Sequence, residues 1–303
     1  MTTAEFINNL EVPVRGVDVV LDTDTYNEID DQFALAYLLA AGKKLKLRGI
    51  CAAPFFNSHS TSPADGMEKS RQEILKLLRL AGREDLNTIV YPGSRDYLPD
   101  ENTPVMSEAA RFMAELVASY NPKNPLYIIA IGAITNVASA LLINPKIKEN
   151  TVIVWLGGHG LHWHHNREFN LMQDVAAARV IFGCGVPVVQ LPCAGVVDRF
   201  ATTRYELEHW LSGKSALCDY LVENTIQEAE DYAAGKPWSR VIWDVTAVAW
   251  LVDKRFVMTR VLPVRLPGYD HRYEQTEQEH LMAYVYNIDR NRLMKDLVEK
   301  LIK

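Results

Sequence analysis

The sequence predicts an α/β fold, a single Rossmann-like domain in which helices flank a mostly parallel central sheet. Short apolar segments rich in Val and Ile alternate with longer amphipathic ones along all 303 residues, and no linker or low-complexity segment interrupts them. Polar residues also collect where the apolar strands end, and in such sheets the active site lies at the carboxyl ends of the strands. We therefore treat residues 1–303 as one domain, with residues 1–16 as a polar N-terminal lead-in.

Apolar runs and helix caps place the elements in order. Strands are predicted where β-branched apolar residues run together, at 17–21, 45–53, 88–91, 126–131, 151–156, 186–191, 256–264 and 281–286. Helices are predicted where apolar residues recur at helical spacing, at 33–38, 67–80, 107–120, 134–142, 175–182, 215–234, 241–251 and 289–302. Ser107 and Asp289 stand at the starts of two of these helices as N-caps. The segment 54–66 is a predicted loop.

Composition and charge argue against several classes of protein. The net charge of −6 and the absence of a strongly basic run argue against a nucleic-acid-binding surface. The N-terminal segment lacks the regions of a signal peptide, and the most apolar stretch, 175–197, is broken by glycines and prolines, so no membrane span is expected.

A homo-oligomer is expected, with an exposed apolar helix face as its contact. Reduced thiols in a cytoplasmic protein are predicted, because no CxxC spacing occurs among Cys51, Cys184, Cys193 and Cys218.

The segment VDVVLDTDTYNEIDDQFALAYL, residues 17–38, carries the strongest chemical signal. Between its strand and its helix, five carboxylates fall within ten residues, namely Asp22, Asp24, Glu28, Asp30 and Asp31. Like charges at a strand end repel one another and raise pKa values. A divalent cation such as Ca²⁺ or Mg²⁺ would relieve this repulsion through oxygen ligands, so we interpret the segment as half of a metal site. Helix capping is the alternative, and it leaves Asp22 and Asp24 unexplained.

Four further polar features lie where strands end. They are Asn57, the segment IAIGAITN (129–136), the segment REFNLMQD (167–174) with Glu168 and Asn170, and the pair Trp243-Asp244. Asp244 lies in an otherwise apolar segment, where a charged group is costly unless it is paired or bound to a metal. Metal binding and helix capping both stay open for Asp244.

In this order and at these separations, the motifs DTDTYNEIDD, IAIGAITN, REFNLMQD and WDVTAVA resemble those of the inosine-uridine-preferring nucleoside hydrolases. The resemblance covers residues 17–251. Each motif alone is a weak signal, whereas the four in sequence are a strong one. The resemblance implies a calcium-dependent enzyme that hydrolyses the N-glycosidic bond of ribonucleosides to free base and ribose.

The resemblance also implies roles for individual residues. One Ca²⁺ would be held by Asp24, Asp30, Asp31, the backbone carbonyl of Ile131, and Asp244. Asp24 would also be the catalytic base that takes a proton from a water on the ion. Asn57, Glu168 and Asn170 would hydrogen-bond the ribose. This set suits the chemistry, because breaking the bond develops an oxocarbenium ion that carboxylates stabilise.

Three departures from the family pattern bear on the leaving base. Five residues, TYNEI, separate the second and third aspartates where the family has three, so Asn27 and Glu28 are expected near the ligand. Trp243 stands where the family often has a His that is a candidate general acid for the leaving base. The indole of Trp243 would instead bind the substrate by stacking on the base, or would pack in the core. A His-Gly stretch expected after the third strand is absent from residues 97–112.

The histidine-rich loop GGHGLHWHHN, residues 157–166, has two interpretations. Zinc binding is disfavoured because the spacing gives no His pair on one helix face and no cysteine lies nearby. A loop over the site fits better, with His162, His164 or His165 as the proton donor to the leaving base. A purine can take a proton at N7, whereas a pyrimidine has no equivalent site. We therefore expect purine ribosides as substrates, in keeping with a role in purine salvage.

Two other functions stay open. The segment VVLDTDT resembles the strand-DxDxT opening of haloacid-dehalogenase-type phosphohydrolases, with Asp22 as nucleophile and Asp24 as acid. That class also needs a downstream Lys and an acidic metal pair, for which we find no candidate, and it leaves REFN and WDVTA unexplained. The second alternative is a non-catalytic nucleoside- or sugar-binding protein whose altered loops have lost catalysis.

Overall fold

The computed structural model describes the chain from Met1 to Lys303 apart from the side chain of Thr276. The strands are β1 (Val17–Thr23), β2 (Leu45–Ala52), β3 (Val90–Tyr91), β4 (Leu126–Ala130), β5 (Thr151–Leu156), β6 (Val188–Leu191), β7 (Ala201–Thr202), β8 (Arg240–Val241), β9 (Val257–Pro267) and β10 (Tyr273–Ile288). The α-helices are α1 (Thr3–Asn9), α2 (Asp30–Ala40), α3 (Pro63–Leu80), α4 (Glu108–Leu116), α5 (Thr135–Ile143), α6 (Ile147–Asn150), α7 (Phe169–Gln173), α8 (Val175–Gly183), α9 (Arg204–Leu211), α10 (Ala216–Ala233), α11 (Val245–Val252) and α12 (Arg290–Leu301). Short 3₁₀ helices lie at Gly42–Lys44, Glu84–Ile89, Val117–Ser119 and Val197–Arg199.

One sheet of eight strands, in the order β3-β2-β1-β4-β5-β6-β10-β9, organises the described chain. Each neighbouring pair from β3 to β10 is parallel, and β9 pairs antiparallel with β10. The predicted mostly parallel sheet is therefore confirmed. Strand order reverses between β1 and β4, and ligands bind outside the carboxyl ends of the strands at such a switch point. Strands β7 and β8 form a separate antiparallel pair.

Both faces of the sheet are covered by apolar side chains. Leu21 and Ile129 face a core that includes residues of α2, α3, α11 and α12. Val20 and Ile128, their neighbours along the same strands, face a second core with residues of α4, α5 and α8. Strands buried on both faces read as continuous apolar runs, which is why the sequence locates them well. A ligand therefore approaches this sheet at the strand ends rather than at its faces.

The N-terminal lead-in, residues 1–16, contains helix α1, which the sequence did not predict. Thr2 and Glu5 cap α1 reciprocally: the Glu5 N–H donates to Thr2 Oγ1 (3.3 Å), and the Thr2 N–H donates to Glu5 Oε2 (2.8 Å). Phe6 packs against the core, and Leu10, just after the helix, is buried. Both apolar contacts anchor this segment to the domain.

Several boundaries differ from those predicted. The end of the predicted loop 54–66 is helical, because Ser62 caps α3 by accepting the Asp65 N–H at 3.1 Å and Pro63 begins the helix. The predicted helix 241–251 begins only at Val245, after β8. The two C-terminal strands are longer than predicted and form one hairpin. The N-caps predicted at Ser107 and Asp289 are confirmed.

The cysteines at 51, 184, 193 and 218 are free, without disulfides. None of the helices in the described part of the chain is long and apolar enough to span a membrane.

Candidate active site

The acidic loop begins where β1 ends. Asp24 follows Thr23, the last residue of β1, and Asp30 and Asp31 lie in the first turn of α2. The residue that caps α2 is Ile29, and no side chain makes a capping hydrogen bond there. Side-chain capping therefore does not account for the two aspartates. Thr23 instead donates a hydrogen bond from Oγ1 to Oδ1 of Asp31 and so fixes that carboxylate.

Asp244 joins Asp30 and Asp31 from a distant part of the sequence. It lies at the start of α11, and its side chain makes no capping hydrogen bond, so the capping interpretation is wrong here as well. One carboxylate oxygen from each of the three residues lies within 4.8 Å of the other two. All three residues are buried, and Oδ1 of Asp244 has no hydrogen-bond partner among the described residues.

Asp24 is fully buried, and neither of its carboxylate oxygens has a hydrogen-bond partner in the part of the chain that the structure describes. The carboxylate packs against Gly132, just past the end of β4. A Cβ atom at position 132 would lie 2.9 Å from Cγ of Asp24, closer than such atoms can approach. Any side chain there would displace Asp24, which explains the glycine of the IAIGAITN motif.

Burial raises the pKa values of these carboxyl groups. It raises the pKa of Asp31 to about 7 and those of Asp24, Asp30 and Asp244 well above their usual range. Repulsion by neighbouring carboxylates further raises the pKa values of Asp24, Asp30 and Asp244. Buried acids of this kind need either protons or a cation, and an all-oxygen donor set suits a hard divalent cation such as Ca²⁺. The residues present therefore fit the divalent cation predicted for the acidic segment.

Glu168 borders this cluster and is held by three backbone groups. It is the N-cap of α7, where its Oε1 accepts the Asn170 N–H and its Oε2 accepts the Leu171 N–H, each at 2.9 Å. Oε2 also accepts the Gly158 N–H at 2.8 Å. Burial raises the pKa of Glu168, while these backbone hydrogen bonds oppose the rise. The side chain is thus fixed in place before any ligand binds.

Asn170 ties together the ends of two neighbouring strands. Its Nδ2 donates to the carbonyl oxygens of Ile131, just after β4, and Leu156, the last residue of β5, each at 3.1 Å. The Ile131 carbonyl is one of the expected metal ligands, and a carbonyl oxygen has a second lone pair for a cation. Asn170 therefore orients one of the ligand groups.

A cavity of about 180 Å³ lies at this end of the sheet, and we refer to it as the first cavity. The predicted site residues on its wall are Asp30, Ile131, Glu168, Asn170, Trp243 and Asp244. Asn27 and Glu28 of the inserted TYNEI segment also lie on the wall, as expected. The remaining wall residues, which the sequence analysis did not assign to the site, are Leu156, His159, Arg167, Phe169 and Cys193. Trp243 both lines the cavity and packs partly against the core, so its two interpretations are compatible.

Asn57 is not on the described wall of the first cavity. Its Nδ2 donates to Oδ1 of Asn27 at 2.7 Å, and its Oδ1 accepts the His59 N–H at 2.8 Å. His59 also contacts the insertion, with Nδ1 3.0 Å from the Asn27 carbonyl oxygen. Asn57 and His59 therefore hold Asn27 in position. Asp24 and Asp31 are likewise buried and not part of the described wall.

The histidine-rich loop contributes His159 to the first cavity. None of the predicted proton donors His162, His164 and His165 belongs to its described wall. His159 Nδ1 accepts the Ala194 N–H at 3.2 Å, which places the proton of the neutral ring on Nε2. Burial, with smaller contributions from the neighbouring histidines, lowers the pKa of His159 to about 4. A neutral imidazole therefore lies on the wall at pH 7.

The sequence of this chain is similar to those of known proteins. The sequence profile of the family described as inosine-uridine preferring nucleoside hydrolase matches residues 19–295. The pyrimidine-specific ribonucleoside hydrolase RihA of Escherichia coli O7:K1 (strain IAI39 / ExPEC) is 27% identical over 298 residues, covering 89% of this chain and 90% of that protein. RihA of Salmonella agona (strain SL483) is 26% identical over 270 residues, covering 80% and 82%.

Solved structures share the fold. The purine-preferring ribonucleoside hydrolase from Gardnerella vaginalis superposes with a TM-score of 0.75 at 22% identity, covering 94% of this chain and 98% of that one. The plant nucleoside hydrolase PpNRh1 gives a TM-score of 0.75 at 19% identity, covering 94% and 99%. Because the family profile spans nearly the whole sequence, this chain belongs to the inosine-uridine preferring nucleoside hydrolases, enzymes that hydrolyse the N-glycosidic bond of ribonucleosides.

Proposed function

We propose that this protein hydrolyses ribonucleosides to free base and ribose in the first cavity, with Ca²⁺ as its cofactor. The observation that carries the proposal is the buried cluster of Asp30, Asp31 and Asp244, with carboxylate oxygens within 4.8 Å of one another. The carboxylate of Asp24 is not part of this group, but it is also buried and has no described hydrogen-bond partner. The ion would be held by Asp24, Asp30, Asp31, Asp244 and the carbonyl oxygen of Ile131. When bound, it would keep these carboxylates ionised and acidify a water molecule.

Asp24 is the general base in this proposal. A water attacks C1′ of the ribose while the C–N bond breaks, and the bonding electron pair leaves with the nucleobase, which takes up a proton from solvent. The proton of the water passes to a carboxylate oxygen of Asp24. Neither carboxylate oxygen of Asp24 has a hydrogen-bond partner among the described residues. The sugar gains oxocarbenium character, and the negative charge of the surrounding carboxylates stabilises it.

The hydroxyl groups of the ribose donate hydrogen bonds to protein oxygen atoms that still have a free lone pair. Oε1 of Glu168 accepts one backbone N–H and keeps a lone pair for a ribose hydroxyl. Both N–H groups of the Asn170 amide are used by carbonyls, so its Oδ1 is the atom that accepts from the sugar. Asn57 acts indirectly, by holding Asn27 on the wall.

Trp243 is the residue we assign to the base. Its indole lies on the wall of the first cavity, where a planar base can stack on it. A purine offers the larger surface, which supports purine ribosides as substrates. The named activities of similar proteins include both pyrimidine and purine ribosides, and hydrolysis of inosine compared with uridine measures the preference of this chain.

The test is incubation with a panel of ribonucleosides, with free base and ribose measured by chromatography before and after chelation of metal. Hydrolysis that calcium restores after chelation is the expected result. Release of inorganic phosphate from a phosphate ester with Mg²⁺ would favour the phosphohydrolase alternative. Nucleoside binding without turnover would favour the non-catalytic alternative.

We further propose a cytoplasmic homo-oligomer. The free cysteines support a reducing compartment. Exposed aromatic residues on α9, Tyr205 and Trp210, offer an apolar contact surface. Light scattering coupled to size-exclusion chromatography measures the oligomeric state, and a monomer would contradict that part of the proposal.

A further inference from the structure

A second cavity, of about 220 Å³, lies between the inserted loop and one face of α10. It shares Glu28 with the first cavity, so the two adjoin at that residue. The residues from α10 recur at helical spacing and so form one face of the helix. The described lining residues are Tyr26, Glu28, Gln32, His59, Tyr220, Asn224, Gln227, Glu228 and Asp231.

The lining of the second cavity is acidic. It contains the carboxylates of Glu28, Glu228 and Asp231. Arg240 binds two of them, since its Nη2 donates to Oε2 of Glu28 at 2.7 Å and to Oε1 of Glu228 at 2.9 Å. The guanidinium supplies one positive charge against three carboxylates, so negatively charged hydrogen-bond acceptors remain. A ligand that offers N–H donors suits such a lining better than one that offers carbonyl oxygens.

Gln32 gives independent evidence that the second cavity takes a ligand. This residue lines the cavity and is only 2% exposed, yet its Oε1 has no hydrogen-bond partner among the described residues. Buried amides in folded proteins are nearly always hydrogen-bonded. An amide kept without a partner beside a cavity indicates that a ligand supplies the partner.

We infer that the second cavity binds the edge of the leaving base and selects bases that carry an exocyclic amino group, such as adenine or cytosine, over the corresponding keto bases. The inference rests on the proposed function, because the ribose and the ring face that stacks on Trp243 are assigned to the first cavity, and the edge of the base extends past Glu28. Carboxylates accept hydrogen bonds from an amino group and repel the lone pairs of a keto oxygen. The amide of Gln32 completes the pairing at the edge of the base.

The experiment compares kcat/KM for adenosine with inosine and for cytidine with uridine, since each pair differs in an amino or a keto group at one position. We expect the amino member of each pair to be preferred by about tenfold or more. Glu228→Gln should reduce both ratios severalfold, because a neutral amide no longer favours a donor. Glu230→Gln is the matched control: Glu230 lies on the same helix, is ion-paired with Arg204 and is not a described lining residue.

The outcomes distinguish failure of the proposed base selectivity from failure of the proposed hydrolysis. Equal hydrolysis of amino and keto nucleosides, or unchanged ratios in Glu228→Gln, would overturn the inference and leave the proposed function intact. No hydrolysis of any nucleoside would overturn the proposed function. In that case calorimetric titration with free adenine and hypoxanthine tests the second cavity directly, and equal affinities would overturn the selectivity as well. Circular dichroism of Glu228→Gln verifies that the variant is folded.

Discussion

The side-chain amide of Asn136 donates a 2.8 Å hydrogen bond to Oδ1 of Asp22. The same Nδ2 donates to the carbonyl of Ala52 at 3.1 Å, and Oδ1 of Asn136 accepts the Ser94 N–H at 2.7 Å. Asn136 thus joins the ends of β1 and β2 to the loop after β3. Asp22 is buried and belongs to this network between strand ends, which supports a structural role rather than that of a nucleophile.

We therefore expect Asp22→Asn to keep nucleoside hydrolysis close to the wild-type rate. Burial raises the pKa of Asp22 to about 7, so a neutral group of the same shape is tolerated, and the free energy of unfolding should fall by no more than about 1.5 kcal/mol. Turnover and thermal denaturation of the purified variant measure the two quantities. A phosphohydrolase that uses Asp22 as its nucleophile would instead lose all activity.

The strands of the sheet were predictable because parallel strands buried on both faces have a continuous apolar composition. Helices α1 and α9 were not predicted, because RYELEHWL of α9 holds few apolar residues and the cap of α1 is formed by two polar side chains. Strands β9 and β10 were predicted too short, and their hairpin was not predicted, since their charged and polar residues interrupt the apolar pattern. Local composition therefore identifies the interior of the sheet better than its edge.

The aspartates of the first cavity were predictable because charge within apolar sequence is costly and needs a partner. The second cavity was not predictable in the same way. Its α10 residues, among them Glu228 and Asp231, have the composition of a solvent-exposed helix face, and only the fold brings them to Glu28. His159 could not be told apart from the other histidines of its loop by spacing alone.

Asp24→Asn is expected to lower kcat by about 10²- to 10⁴-fold, because an amide cannot take the proton from the attacking water. Asp24 is also a proposed metal ligand, so calcium content must be measured on the same preparation by atomic emission. A variant that retains calcium and loses turnover separates the base from the ligand role. Turnover near the wild-type value would contradict the mechanism.

Removal of divalent metal is expected to lower both activity and thermal stability. A cation that binds only the folded protein stabilises it by about 2.7 kcal/mol at a hundredfold excess over Kd, which corresponds to a rise in Tm of about 5 °C. Thermal denaturation with EDTA, and again after addition of excess CaCl₂, measures the shift. The shift should shrink in Asp244→Asn, which removes one of the clustered carboxylates. An unchanged Tm after full chelation would contradict a metal in this cluster.

Trp243→Ala is expected to lower kcat/KM for inosine by about two- to tenfold and for uridine by less, because stacking on an aromatic ring contributes about 0.5–1.5 kcal/mol and a purine presents the larger surface. Inosine and uridine are both keto nucleosides, so this comparison is independent of the amino selectivity assigned to the second cavity. Trp163→Ala, in the histidine-rich loop and outside the described wall of the first cavity, is the matched control. If wild-type protein cleaves uridine faster, or if the Trp243 variant keeps its purine kinetics, the indole serves core packing and the purine preference is wrong.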